Sequence, residues 1–193
     1  MIINLQAMKR IIIAVTGASG ALYAKILLTR LEQLQREGKV EQTDVVFSEK
    51  GKQVWMHELE TPPDDLPFKI YENDDFNAPF ASGSALYDAM IVCPCSMGTM
   101  GRIANGTSDN LIARAADVML KEHRRLIIAV RETPIHLIHI RNMQILAQAN
   151  AIIAPASPSF YAHPKSIDEL AQTVTDRLLQ LAGLETETYR WPG

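Results

Sequence analysis

The sequence predicts a single-domain α/β fold with a doubly wound parallel sheet, and three observations support this prediction. Five short apolar runs, rich in Ile, Val and Ala, recur along the chain, as expected for strands that are buried on both faces. Segments with helical periodicity lie between them, which favours right-handed strand–helix–strand crossovers. The length of 193 residues suffices for one domain with a substantial core and is short for two.

The predicted elements follow one another in a regular order. The strands are Arg10–Val15, Asp44–Phe47, Ala89–Cys93, Leu126–Val130 and Ala151–Ala154. The helices are Ala21–Glu37, Asn110–Lys121, Leu137–Ala149 and a last helix that opens at the capping box of Ser166 and Glu169. The proline-rich and acidic segment Thr61–Ser84 is predicted to be one long excursion over the strand ends. We therefore expect one domain over residues 8–183, with terminal extensions at 1–7 and 184–193.

Composition and charge argue against several classes of protein. A net charge of −3 and a pI near 5.9 give no basic excess, so we expect no nucleic-acid partner. The chain has no apolar run of about 18 residues and no signal-peptide pattern, which predicts a cytoplasmic protein with no membrane partner. Cys93 and Cys95 are poorly placed to form a disulfide with each other. Neither these cysteines nor the histidines and acidic pairs complete a metal motif, so we expect no metal.

Small polar or charged residues follow most of the predicted strands. In open parallel sheets, ligands bind beyond the carboxyl ends of the strands. The five strands are followed by TGASG at 16–20, Ser48, PCSMGT at 94–99, Arg131-Glu132, and a loop that ends in Phe160-Tyr161. This convergence indicates a ligand site at the carboxyl edge of the sheet.

The TGASG turn is suited to binding a phosphate group. Gly17 and Gly20 permit a tight turn and a close approach of the backbone, and a helix N-terminus offers unpaired N–H groups to an anion. Ser19 and Ser96 can add hydroxyl donors, and Arg131 adds a cation. Taken alone, Ser19 is better explained as a cap of the helix. With several strand ends decorated in the same way, phosphate binding is the favoured interpretation.

The order and spacing of several motifs resemble the UbiX-type flavin prenyltransferases. The matching segments are TGASGA, the Ser48 loop, ASGS at 81–84, CPCSMGT, ANG at 104–106, NLIARAADVMLKE, RETP, NM at 142–143, and PSFY. They cover nearly the whole chain from Met8 to about Gly183. TGASG alone is a weak signal, but CPCSMGT, RETP and PSFY together are specific to this family.

The resemblance implies a Rossmann-like or flavodoxin-like enzyme that transfers a dimethylallyl group from dimethylallyl phosphate to reduced FMN, without a metal. The product would serve a UbiD-type decarboxylase, and the family assembles as dodecamers with sites at subunit boundaries. The implied FMN-binding residues are Gly17, Ala18, Ser19, Ser48, Ser96, Met97, Gly98, Thr99 and Arg131. The implied residues for dimethylallyl phosphate are Phe76, Arg114, Lys121, Tyr161 and Arg177, and the implied catalytic residues are Ser19, Glu58 and Glu132.

Two residues depart from the family pattern, and both concern the site. Phe76 replaces a Trp in the loop expected to cover the prenyl group, and Gly98 replaces the Lys of CSMKT. Cations and the Tyr161 hydroxyl suit the stabilisation of a departing phosphate, and Glu132 beside Arg131 is a candidate acid–base group. The chemistry therefore stays plausible, while the prenyl preference is left open.

Three other functions are compatible with parts of the sequence. TGASG together with Tyr161 and Lys165 resembles a short-chain dehydrogenase, but Pro164 disrupts the helical face that this pair needs. The FMN-dependent cysteine decarboxylases share the region around CPCSMGT, but their PASANT and PxMNxxM motifs are absent here. A non-enzymatic flavin-binding subunit of a decarboxylase is the third alternative.

Overall fold

The computed structural model describes residues 9–186, whose centre is a sheet of six parallel strands. The strands are β1 (Lys9–Val15), β2 (Val40–Phe47), β3 (Lys69–Tyr71), β4 (Ala89–Cys95), β5 (Arg125–Val130) and β6 (Ile152–Pro155). They lie in the order β3-β2-β1-β4-β5-β6, so the direction of winding reverses between β1 and β4. This reversal opens a crevice at the carboxyl edge, where ligands bind in folds of this kind.

Helices cover both faces of the sheet, which explains the continuous apolar strands. The helices are α1 (Ala21–Arg36), α2 (Glu49–Leu59), α3 (Met97–Ala104), α4 (Leu111–Lys121), α5 (Leu137–Gln148) and α6 (Ile167–Leu181). One core cluster joins α1, α2 and α6 to residues such as Ile11 and Ile13 of β1. The other joins α3, α4 and α5 to Ile12 and Ala14 of the same strand. The predicted doubly wound parallel sheet is confirmed.

Several elements were not among those that the sequence predicted. Helices α2 and α3 and the short edge strand β3 are additions, and β3 falls inside the predicted excursion Thr61–Ser84. That excursion packs on α4, because Asn73 accepts backbone N–H groups of Leu111 and Ile112. The excursion therefore contributes an edge strand to the sheet and also packs against the helical layer of α3, α4 and α5.

The capping prediction for the last helix holds for its serine. Ser166 Oγ accepts the backbone N–H of Glu169 at 3.1 Å. The Glu169 carboxylate instead accepts the N–H of Lys165, one residue before the position that a capping box uses.

The predicted terminal extensions fall mostly on residues outside the range 9–186. Residues 1–7 and 187–193 of those extensions lie outside the described residues, as does Met8 at the predicted start of the domain. Leu184 packs into the core cluster that α6 shares with α1. Within residues 9–186, no helix combines the length and the apolarity that crossing a bilayer requires.

Candidate active site

Glu58 of α2 binds the N-terminus of α1. Its carboxylate accepts the N–H groups of Gly20, at 2.9 Å, and of Ala21, at 2.7 Å. Gly20 is the N-cap of α1, has a φ of 116° and offers no side chain, so the carboxylate of another helix caps α1 instead. The interpretation that Ser19 merely caps this helix is therefore wrong, and Glu58 is more than a solvated surface carboxylate.

The surroundings of Glu58 keep it ionised at neutral pH. Burial raises the pKa of its carboxyl group. Hydrogen bonds from the Ser19 side chain and from the N–H groups of Gly20 and Ala21 lower that pKa, and together they outweigh the effect of burial. Arg131 adds a favourable charge, and the net pKa of Glu58 lies below its ordinary value. The Ser19 hydroxyl thus donates a hydrogen bond to an ionised carboxylate.

Arg131 ties the ends of three strands together. Its Nε donates to the Ser19 carbonyl at 2.9 Å, which holds the turn after β1 against the end of β5. Its backbone N–H donates to the Cys95 carbonyl of β4 at 3.4 Å. The next residue, Glu132, is exposed and accepts the N–H of Thr133 with its own Oε1 at 3.0 Å.

A cavity of about 340 Å³ brings three of the predicted residues together at this edge. Ser19, Glu58 and Arg131 line it, with Tyr23 of α1 and apolar residues of the β6–α6 region. Burial raises the pKa of the Tyr23 phenol, which is therefore a neutral hydroxyl group at physiological pH. Tyr23 was not predicted as a site residue, although it lies one helical turn beyond the TGASG motif, where its side chain can return to the turn.

A second cavity, of about 540 Å³, lies between the end of β6 and α6. It contains the predicted pair Tyr161 and Arg177, and Arg177 Nη1 donates to Gln180 Oε1 at 3.2 Å. The segment 154–161 separates the two cavities, since Ser157 and Ser159 line the second while Ala156 and Pro158 line the first. Within one chain, Tyr161 and Arg177 therefore line a different cavity from the Ser19 cluster.

The serines predicted to bind FMN begin two further helices at the same edge. Ser48 Oγ accepts the N–H of Gly51 at the start of α2, at 3.0 Å. Ser96 Oγ accepts the N–H of Thr99 at the start of α3, at 3.4 Å, and also donates to the Thr99 hydroxyl. Together with α1, three helix N-termini converge at this edge, and each favours negative charge.

Thr16 connects two of these turns and was not predicted as a site residue. It is 1% exposed, donates to the Pro94 carbonyl at 2.7 Å, and accepts the N–H of Ser96 at 2.8 Å. The sequence did contain a signal for this role. Thr16 is a hydroxyl residue that comes directly after the buried strand β1, at the edge where it can contact the end of β4.

Two glycines of the TGASG turn permit the close approach and the turn geometry expected of them. A Cβ on Gly17 would lie 2.5 Å from Lys50 Cβ, so the close backbone approach that Gly17 permits is made by α2 of the same chain. Gly20 does adopt the left-handed conformation that a tight turn requires. A Cβ on Gly98 would lie 3.5 Å from Arg102 Nη1, an ordinary contact, so the backbone of Gly98 does not require a glycine for reasons of space at Cβ.

The other residues predicted for dimethylallyl phosphate lie on the opposite side of the sheet. Arg114 and Lys121 belong to α4, in the core layer of α3 and α5, whereas Arg177 lies on α6 in the other layer. Arg114 Nε donates to the Ala81 carbonyl at 3.0 Å and Nη1 to Asp117 at 3.1 Å. Phe76, 49% exposed, lies in the excursion that packs on α4. One chain does not bring these three residues to Tyr161 and Arg177.

The described residues hold no evident metal centre. Over residues 9–186, there is no group of three or more His, Cys, Asp or Glu side chains arranged to bind a metal ion.

Comparisons with known sequences place the chain in a family. Residues 4–179 match the Flavoprotein family. The flavin prenyltransferase UbiX of Thermoplasma acidophilum is 42% identical over 186 residues, which cover 94% of this chain and 99% of the relative. The mitochondrial flavin prenyltransferase PAD1 of Saccharomyces cerevisiae is 41% identical, with 96% of this chain and 76% of the relative covered.

Solved structures of similar proteins agree with the sequence relatives. AnUbiX (PadA1), solved in complex with FMN and dimethylallyl pyrophosphate, has a TM-score of 0.89 and 40% identity, covering 97% of this chain and 99% of its own. A dodecameric FMN-dependent UbiX-like decarboxylase from Escherichia coli O157:H7 has a TM-score of 0.89 and 36% identity, covering 95% of this chain and 100% of its own.

The cysteine decarboxylase alternative receives less support. The epidermin biosynthesis protein EpiD of Staphylococcus aureus matches with a TM-score of 0.56 and 21% identity, which shows a shared fold alone. The sequence relatives from Thermoplasma acidophilum, Methanocaldococcus jannaschii and Saccharomyces cerevisiae, at 41–42% identity, are flavin prenyltransferases. The chain therefore belongs to the Flavoprotein family and, within it, to the UbiX-type flavin prenyltransferases.

Proposed function

We propose that this protein transfers a dimethylallyl group from dimethylallyl phosphate to reduced FMN, and that the prenylated FMN serves a UbiD-type decarboxylase. The observation that carries the proposal is the cluster of Ser19, Glu58 and Arg131 in one cavity at the point where the sheet reverses its winding. The cluster joins a hydroxyl, an ionised carboxylate and a guanidinium group. It therefore offers both proton transfer and anion stabilisation.

The residues at the carboxyl edge fit the phosphate group of FMN. The N–H groups of Gly20 and Ala21 are already bonded to Glu58, and a phosphate group placed there would face a carboxylate. The N-termini of α2 and α3 carry the Ser48 and Ser96 hydroxyls and have no such carboxylate bonded to them among the described contacts. We assign the FMN phosphate to these two termini, with Gly17, Ala18, Met97, Gly98, Thr99 and Arg131 around the cofactor.

The proposed proton chemistry centres on two carboxylates. Reduced FMN supplies a nucleophilic ring system to which the allylic carbon becomes attached. Ser19 Oγ donates a hydrogen bond to Glu58, whose lowered pKa keeps it ionised, and we propose that the hydroxyl held in this way relays a proton at the bound substrate. Glu132 is exposed beside Arg131, and we propose that it moves a proton to or from a bound substrate.

The site for dimethylallyl phosphate requires a second copy of the chain. Tyr161 and Arg177 face one cavity, while Arg114, Lys121 and Phe76 lie beyond the opposite face of the sheet. We propose that these three residues of one copy approach the Tyr161 and Arg177 cavity of another. Cations converging in this way would stabilise the charge on the departing phosphate.

The surface of α5 supports this assembly. It exposes several large apolar side chains, namely Leu137, Ile138, Ile140 and Ile145. An exposed apolar helix face of this kind marks an interface rather than a solvated surface. We propose a homo-oligomer, and specifically a dodecamer as in the Escherichia coli O157:H7 relative. The cytoplasmic location expected from the sequence stays a prediction.

Anaerobic incubation with reduced FMN tests the proposed function. We expect a flavin product whose mass is increased by one C5H8 unit when dimethylallyl phosphate is supplied, and activation of a UbiD-type apo-decarboxylase by that product. Dimethylallyl diphosphate in parallel tests the preferred donor. FMN binding without any prenylated product from either donor would refute the proposal and support a flavin-binding subunit.

A further inference from the structure

A threonine on α6 fixes the loop that carries Tyr161. Thr173 Oγ1 accepts the backbone N–H of Ser159 at 2.9 Å and donates to the Leu170 carbonyl at 2.7 Å. With its proton committed to one partner and a lone pair to the other, the hydroxyl group is held in one orientation. Thr173 itself lines the cavity that contains Tyr161 and Arg177.

The position of Thr173 relates the two proposed phosphate-binding groups to each other. Ser159 precedes Tyr161 by two residues, and Arg177 follows Thr173 by four, on the same face of the helix. Within the loop, Ser157 donates to the Pro155 carbonyl and His163 to the Phe160 carbonyl, and both contacts are local. The bond from Ser159 to Thr173 instead joins the loop to α6.

We infer that Thr173 is a positioning residue, which sets the distance between the Tyr161 hydroxyl and the Arg177 guanidinium group. The inference rests on the proposed role of these two groups in binding dimethylallyl phosphate. Two donors bind one phosphate more tightly when their separation is fixed before the ligand arrives, because less conformational freedom is lost on binding. Loss of the Thr173 hydroxyl therefore weakens phosphate binding and leaves the chemistry around Ser19 unchanged.

Isosteric substitutions test the inference. Thr173→Val removes the hydroxyl while keeping the shape, and Thr173→Ser restores it. We expect Thr173→Val to raise KM for dimethylallyl phosphate by about tenfold, with kcat and FMN affinity nearly unchanged, because one positioned hydrogen bond is lost. Thr173→Ser should return KM close to that of the parent protein.

A neighbouring threonine provides the matched control. Thr175 is also on α6 and donates to the Gln172 carbonyl at 3.1 Å, within the helix itself. Thr175→Val should leave KM unchanged, and its melting temperature shows the cost of removing a helical threonine hydroxyl. An unchanged KM in Thr173→Val, no recovery in Thr173→Ser, or an equal rise in Thr175→Val would each overturn the inference.

A second readout separates this inference from the proposed function. Inorganic phosphate is a probe that needs no prenyl transfer, and its affinity can be measured by calorimetry in each variant. If the parent protein binds phosphate but transfers no prenyl group, the proposed function fails. The positioning role then stands if Thr173→Val weakens phosphate binding, and it falls if the affinity is unchanged.

Discussion

Replacing Glu58 by Gln tests the most distinctive contact of the site. In the parent protein, the carboxylate accepts the N–H groups of Gly20 and Ala21 and so caps α1 from a different helix. The glutamine amide keeps one carbonyl acceptor but loses the second oxygen and the negative charge. We expect both the free energy of unfolding and the rate of prenyl transfer to fall.

The size of the stability loss follows from the geometry. Removing a helix N-cap costs about 0.5–2 kcal/mol. Glu58 is exposed to solvent, which screens the charge, so we expect about 1 kcal/mol. In a domain of this size, such a loss lowers the melting temperature by about 2–4 °C. Thermal unfolding followed by calorimetry can measure this change.

The stability that Glu58 contributes should depend on pH in a defined direction. The pKa of Glu58 is lower in the folded protein than the model-compound value of 4.5 that describes the unfolded chain. Its contribution to stability is therefore complete above 4.5 and disappears as the pH falls through the folded pKa. The difference in melting temperature between the parent protein and Glu58→Gln should be largest at neutral pH and shrink in acid.

Glu60→Gln provides the control. Glu60 is exposed at the C-terminal end of the same helix, so the substitution makes an equal change in net charge. If Glu58→Gln and Glu60→Gln melt alike, or if the Glu58 difference persists unchanged through the acid range, the carboxylate does not cap α1 in solution.

The remaining predictions concern binding and turnover. Glu132→Gln should retain FMN but slow prenylation by about 10²–10⁴-fold in single-turnover absorbance, and an unchanged rate would leave Glu132 with a structural role only. Arg177→Ala should weaken dimethylallyl phosphate about ten- to a hundredfold in saturation curves, with FMN affinity nearly unchanged and no effect of EDTA. Inhibition by EDTA would contradict the metal-free site. FMN should quench protein fluorescence at lower concentrations than FAD or NAD, and equal or tighter binding of NAD would count against a flavin site.

The strands that were predicted from the sequence are those that are buried on both faces and therefore appear as continuous apolar runs. β1 and β5 are continuous apolar runs because helices cover both of their faces. β3 has only three residues, of which only Tyr71 is buried, and it lies in a proline-rich segment. The sequence therefore shows no strand pattern there. α3 has eight residues and two glycines, too short and irregular for a helical period to emerge.

Without the family resemblance, the candidate site was predictable only where it follows the strands. Ser48, Ser96 and Arg131 come directly after buried strands and Ser19 lies in the turn after β1, and the topology brings those ends to one edge. The contact from Glu58 to Gly20 joins residues 38 apart and depends on how α2 packs beside α1. No local pattern encodes that packing, so its carboxylate reads as solvated until the fold is known.

The Glu58 contact also bears on how one edge of the sheet can serve two phosphate groups. Three helix N-termini converge there, and each attracts an anion. Glu58 already neutralises the first of them, so we propose that the phosphate of FMN lies at the serines of the other two. Tyr161 and Arg177 line a different cavity from Ser19, so a prenyl phosphate bound there would not compete with the phosphate of FMN. In this proposed arrangement, the Glu58 carboxylate fills one anion site and holds the Ser19 hydroxyl, which would relay a proton.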